Sequence, residues 1–201
     1  IEPPVPSLFT FNIKDRAFCD LMGTVVDPVV TTIPGTKLRA KGPLLVTHWG
    51  VSGPAVLKLS SYAARLLAEN DYKAPLAISW TGELTRQEVE ENLLKLQTAN
   101  PRKQVATLHP FGLPSRLWLY ILSKLDIDAV KPWAEIGRKT LNRMIETLVN
   151  DQYTIAGKGA FREEFVTCGG VSLSSVNSKT LESKVCPNLF FAGEVLDIDA
   201  I

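Results

Sequence analysis

The order of the periodicities constrains this chain most. Residues of about 84–149 read as helix, and the segments on either side read as strand. A helical block that interrupts β structure is the mark of an insertion within a larger architecture. The first third alternates. "SLFTFNI" is rich in β formers, and "GTVVDPVVTTI" carries two β-branched runs that Asp27-Pro28 divides as a turn signal. "TKLRAKGPLLVTHWG" alternates and then becomes apolar at Leu44 to Val46. Together they predict an antiparallel, barrel-like meander.

Gly53-Pro54 then opens a helix with Pro at its first position, and Val56, Leu59, Ala63, Leu66 and Leu67 follow at helical spacing. "APLAISW" is one more strand. Thr85 and Glu88 form a capping-box pattern ahead of a helix faced by Val89, Leu93 and Leu96. Pro114 starts "SRLWLYILSKL", apolar nearly all round and so expected to be buried; a further helix is expected from about Ala134 to Val149. Strand patterns return in "QYTIAG", "EEFVTCGGVSL" and "NLFFAG", the last read as a buried strand ending at Gly193-Glu194. The expected class is α+β, with 1–83 a β-rich subdomain holding one helix, 84–149 a helical subdomain and 150–201 return strands.

Composition excludes more than it assigns. The chain of 201 residues is 45% hydrophobic and carries Lys+Arg 22 against Asp+Glu 21, so charge alone predicts no nucleic-acid partner. No run is long and apolar enough to span a bilayer. Cys19, Cys168 and Cys186 are widely spaced, which argues for free thiols in a reducing cytoplasm rather than disulfides or zinc.

Two stretches carry chemistry. In "LLVTHWGVSGPAVLKL" an apolar strand runs through Gly50-Val51-Ser52-Gly53 into a helix, whose unpaired N–H groups suit an anionic or carbonyl oxygen beside His48 and Ser52. The plain alternative is a tight turn with Ser52 or Gly53 as the N-cap. Gly50-x-Ser52 also begins like a hydrolase nucleophile elbow, with His109 and Asp126 or Asp128 as partners. Pro54 replaces the second glycine and the Ser–Asp–His order is not met, so this reading ranks well behind. In the second stretch, Gly169-Gly170 implies a bulge or close backbone approach. An acid just past a strand, as Glu194 is, accepts hydrogen bonds from ribose or ribityl hydroxyls. Glu194, Asp197 and Asp199 form only a weak metal alternative, and no metal is expected.

Thr167, Gly169-Gly170-Val171, Val176-Asn177, Lys179-Thr180, Glu182-Ser183-Lys184 and Phe191 to Asp197, together with "VTHWGVSGPAVLKLS", resemble a bacterial FAD-binding flavoprotein family, the YhiN-like proteins with their aminoacetone-oxidase-like and BaiN-like members. Ser175, Ser178 and Leu181 depart mildly from the family pattern. The resemblance implies a Rossmann-type FAD domain split by an inserted, part-barrel and part-helical domain. The present residues correspond to the insertion and the first strands of the return. No G-x-G-x-x-G occurs among them. The resemblance implies FAD in the parent protein and little FAD affinity or turnover in this chain alone. Thr167, Gly169, Gly170 and Val171 would lie near the isoalloxazine ring, and Gly193 and Glu194 near the ribityl–phosphate region. His48, Gly50, Ser52 and Gly53 would face the substrate, with His48 and Ser52 as catalytic candidates. The expected partners are the Rossmann domain and a small-molecule substrate. NAD(P)H and self-association are admitted, while nucleic acid and membrane are not expected. A dimerisation or protein-interaction module is the other class of function left open.

Overall fold

The computed structural model describes residues 1–159 and 166–198. The chain opens with strand β1 (Glu2–Ser7) and continues through β2 (Phe11–Ile13), helix α1 (Arg16–Cys19), β3 (Val25–Thr32), β4 (Arg39–Thr47) and β5 (Gly50–Ser52). Helices α2 (Pro54–Tyr62) and α3 (Ala64–Glu69) lead to β6 (Ala74–Ser79). The helical segment α4 (Arg86–Ala99), α5 (Ser115–Lys124) and α6 (Arg138–Asn150) precedes β7 (Asp151–Lys158), and β8 (Val166–Gly170) follows.

Six strands close an antiparallel barrel in the order β2-β5-β4-β3-β6-β7, which accords with the barrel-like α+β expectation. β1 and β8 form a separate antiparallel pair. β7 had been expected among the return strands. It instead closes the barrel, because its alternation turns Tyr153 and Ile155 inward between β2 and β6. Helices α4–α6 add to the barrel core without a break: one apolar cluster runs from Phe9 and Phe11 through Trp80 to Leu117, Trp133 and Met144.

Local chemistry explains where the elements depart from their expected bounds. "SLFTFNI" is two strands, since Leu8 takes a left-handed φ of 54° and Phe9 donates its N–H to Ser60 Oγ at 2.9 Å. Asp27-Pro28 does not divide two strands by a turn. It forms a bulge between Val26 and Val29 inside β3, where the missing proline N–H costs no ladder bond. The capping box at Thr85 and Glu88 is formed. α5 is amphipathic rather than buried all round: Leu117, Trp118, Ile121 and Leu122 face inward while Leu119 is 45% exposed. α6 begins at Arg138, after a 3-10 turn over Trp133–Glu135.

The largest correction concerns "NLFFAG". It is neither a regular strand nor buried: Phe190 makes one bridge, to Glu182, and Leu189 and Phe190 are 44% and 59% exposed. Asn188 has φ 66°, which breaks extension just before the apolar run. Residues 171–198 are instead a chain of turns, tied by Asn177 N–H to the Glu182 carbonyl at 2.8 Å and by Asn188 N–H to Glu182 Oε1 at 2.9 Å. The expected strand start at residues 163–165 lies outside the described residues.

Candidate functional site

The return segment presents one open backbone position. Val171 donates to the Val195 carbonyl at 2.8 Å, and Asp197 donates to the Val171 carbonyl at 2.9 Å. These bonds hold both sides of a short turn, Gly193–Val195. Arg65 on α3 ties the turn to the barrel side, reaching Asp197 at 3.5 Å and the Pro3 carbonyl at 3.3 Å. Gly193 takes φ 74°, and a Cβ there would meet no heavy atom within 4 Å. Glu194 is exposed beside it.

The other two glycines differ. Gly169 (φ 104°) and Gly170 (φ 143°) also sit in the left-handed region, but a Cβ on Gly169 would lie 2.6 Å from the Pro3 carbonyl oxygen. On Gly170 it would lie 2.6 Å from that of Val195. The space their missing side chains leave is filled by this chain's own backbone. Thr167 is half-buried and pairs with Pro6, and Val171 bridges Leu196. The six expected cofactor-side residues therefore share one small unit, in which Gly193 and Glu194 face open space.

The 48–53 stretch belongs to the barrel. Gly50–Ser52 had been expected as a ligand loop after a strand; it is strand β5, folded back on β4 through a turn at His48 and Trp49. Gly50 is required by β2, since a Cβ would stand 2.1 Å from the Phe11 carbonyl oxygen. Gly53 (φ 95°) is the N-cap of α2 and packs against the Pro43 carbonyl. Ser52 caps nothing; its Oγ accepts from Thr10 Oγ1 at 3.1 Å. That bond gives the hydroxyl a threonine partner, so the hydrolase arrangement with His109 gains nothing from the geometry. His109 is exposed ahead of the 3-10 turn Pro110–Gly112, and Asp126 and Asp128 are exposed beyond α5. His48 is exposed and lines a cleft of about 510 Å³ with Ile13, Lys14, Arg16, Cys19, Asp20 and Met22.

Sequence reasoning missed one polar cluster. Asp151, buried at the start of β7, accepts from Trp80 Nε1 at 2.9 Å, Tyr153 Oη at 2.7 Å and Lys124 Nζ at 2.6 Å. Tyr120 donates to Asp15 Oδ2 at 3.0 Å, and the Lys124 ammonium stands 4.3 Å from the Tyr153 ring centre. Burial, then neighbouring carboxylate charge, pushes the Tyr153 hydroxyl far above its usual range, and burial also raises that of Tyr120. Both stay neutral donors at ordinary pH, so the cluster joins α1, α5 and β7 rather than moving protons. Its one sequence signal is a carboxylate at an inward position of a strand.

Among the described residues no three candidate ligands gather around a metal position, and Asp199 lies outside them. No helix among them is long and apolar enough to cross a membrane. Cys19, Cys168 and Cys186 form no disulfide among the described residues.

Residues 5–166, which span the barrel and its helices, match the family model described as HI0933-like protein barrel and H2TH domain. The chain belongs to the HI0933-like family. A ribosomal RNA dihydrouridine synthase of Haemophilus influenzae is 30% identical over 98% of this chain and 47% of the relative. A protein of the same name from Escherichia coli K12 is 31% identical over 89% of this chain and 41% of the relative. A 3-dehydro-bile acid delta(4,6)-reductase of Clostridium scindens is 26% identical over 100% of this chain and 49% of the relative. This HI0933-like chain thus spans about half the length of the curated relatives it matches.

Proposed function

We propose that this chain is the barrel-and-helix portion of an FAD-dependent reductase and that Gly193–Glu194 is its contribution to the flavin site. The observation that carries the reading is the open turn. Gly193 has room on its Cβ side while Gly169 and Gly170 do not, and a carboxylate stands next to it. A positive-φ glycine lets a ligand approach the backbone, and Glu194 accepts hydrogen bonds from ribityl hydroxyls. FAD, when bound, supplies the hydride. The fit is partial, because the described residues offer no glycine-rich turn for a pyrophosphate. That element belongs to the Rossmann portion, which we place against residues 181–198. Val185 there is 82% exposed, alongside Phe190, Val195 and Ile198. An apolar run of that kind suits a covering domain.

The relatives' names describe a dihydrouridine synthase of ribosomal RNA and a delta(4,6)-reductase of a 3-dehydro-bile acid. We take an RNA base as the first reading of the substrate and a free small molecule as the second, with NAD(P)H as reductant and the cytoplasm as location. The net charge of +1 is an average and does not describe the local charge of any one cleft. The substrate-side residue we favour is His48, which borders the cleft, ahead of Ser52, whose hydroxyl is engaged by Thr10.

The test is the flavin content of a protein extended to the length of the relatives. The expected result is a bound flavin, with Glu194→Ala lowering its retention. An extended protein that folds but carries no flavin sinks the reading.

A further inference from the structure

We infer that the cleft between the β3 bulge and the loop ahead of α5 binds a small organic cation, an ammonium carried on a flat apolar body, with Asp27 as its counter-charge and Phe111 beside its ring. The inference stands apart from the flavin reading and uses none of its residues.

Three observations carry it. First, the cleft is built into the fold. β6 pairs with β3 only from Val30 to Thr32 and then leaves it at Trp80, whose N–H goes to the Leu148 carbonyl at 2.8 Å. Among the described residues no strand lies on that side of Val25 to Pro28, and a cleft of about 370 Å³ occupies the place. Its floor is fixed, since Trp80 is buried and its Nε1 donates to Asp151 at 2.9 Å. Second, the lining is apolar with a single charge. Val25, Leu84, Leu113 and Pro114 supply walls, and Val25 and Leu84 are 52% and 37% exposed. Asp27 is the one charged residue of the lining, and its carboxylate has no hydrogen-bond or ion-pair partner among the described residues. The neighbouring charges are already engaged. Glu83 pairs with Arg39 and Lys41, and Arg116 on the first turn of α5 donates to the carbonyls of Asp20 and Met22. A lone carboxylate among apolar walls favours a cation and repels an anion.

Third, an aromatic residue is held in the cleft wall at the expense of its own backbone. Phe111 takes φ 57° and ψ 21°, the left-handed region, where a bulky residue is strained. Gly112 follows at φ 66°, and Leu113 N–H closes the turn on the Pro110 carbonyl at 3.1 Å. Strain of this kind persists where the surroundings fix it, and it gathers at ligand sites. Asp27 stands on the β3 side of the cleft and Phe111 on the loop side. An ammonium suits the two together, because the carboxylate pairs with it and an aromatic face attracts it. The volume lies near the lower end of small-ligand clefts, about 300 Å³, so the occupant is one small amine rather than a polypeptide.

The experiment is isothermal titration calorimetry of the 201-residue chain with three probes: phenethylamine, its neutral counterpart phenethyl alcohol, and butylamine, which has the charge without the ring. Saturable binding of phenethylamine is expected, about tenfold tighter than the alcohol and about fivefold tighter than butylamine. Asp27→Asn should erase the preference over the alcohol and leave alcohol binding unchanged. Phe111→Gly, which removes the ring and relaxes the backbone, should erase the preference over butylamine. Asp20→Asn, which removes an exposed carboxylate from the other cleft, by α1, should bind like the parent. Asp27→Ser and Phe111→Asn repeat the test should either first variant fail to fold by circular dichroism. The inference is overturned by absence of saturable phenethylamine binding, by a parent that binds amine and alcohol equally, by a folded Asp27 or Phe111 variant that keeps the parent's preference, or by equal weakening in Asp20→Asn. Flavin content plays no part in this readout, so failure here leaves the flavin reading standing, and a flavin-free extended protein leaves the amine site standing.

Discussion

At the scale of single residues, some glycines have their Cβ space filled by the fold, as Gly50, Gly169 and Gly170 do, and others are left open, Gly193 among them. Gly50 is the most demanding, because any Cβ collides with the Phe11 carbonyl at 2.1 Å and no flexible side chain can move aside. Gly50→Ala should destabilise by about 4 kcal/mol or more in chemical denaturation, the exceptional range for one substitution. Gly193→Ala meets only the left-handed backbone and should cost about 1 kcal/mol. Asp151 is the polar counterpart. Asp151→Ala strands the Trp80 N–H, the Tyr153 hydroxyl and the Lys124 ammonium, and should cost about 3 kcal/mol or more. The raised tyrosines set a pH limit. Their folded-state pKa values lie above the ordinary value of 10.0, so their contribution is complete below pH 10. It declines as pH rises beyond that, where only the unfolded chain readily gives up these protons. Thermal unfolding between pH 8 and 11 should show the decline, and Tyr153→Phe should reduce it.

At the scale of elements, the sequence was legible where local chemistry decides. Pro54 and the Thr85–Glu88 box mark true helix starts, and the alternation in 39–47 and 151–156 marks true strands. It was illegible where distant backbone decides. Gly50–Ser52 resembles a ligand loop until β2 is seen to lie against it, and Asp27-Pro28 resembles a turn until β4 and β6 are seen to pair on either side. "NLFFAG" has a strand's composition, yet its turns are closed by local bonds and nothing among the described residues covers Phe190. The candidate site was half legible: the Gly-acid pair stood out by its place after an apolar run, whereas the Asp151 cluster depends on residues brought together by folding. The capping box gives a prediction at this scale. Thr85→Ala should cost about 1 kcal/mol. Glu88 is held below the ordinary carboxylate pKa of 4.5 by its bonds to Thr85, so its contribution is present above pH 4.5 and is lost as pH falls through the lower folded value. An acid titration of helicity should show that loss in the parent and less of it in Thr85→Ala.

At the scale of the whole molecule, a barrel and its helices share one core, and the turn-rich segment 171–198 is fastened to them by the β1–β8 pair and by Arg65. Only Cys168, Val176 and Leu196 are buried apolar residues among those described in 166–198. Hydrogen exchange should therefore protect β3, β4 and α6 strongly and residues 181–195 weakly, with protection of the latter rising when the remaining length of the relatives is present. The central claim is that this outer segment supplies one side of a flavin site through Gly193 and Glu194. Its most direct test is the flavin-to-protein ratio of a protein extended to the length of the relatives, after extensive dialysis, parent against Gly193→Val and Glu194→Ala. The account predicts a parent near one flavin per chain and variants that fold yet lose most of it. Variants that retain the parent's flavin in full would contradict it.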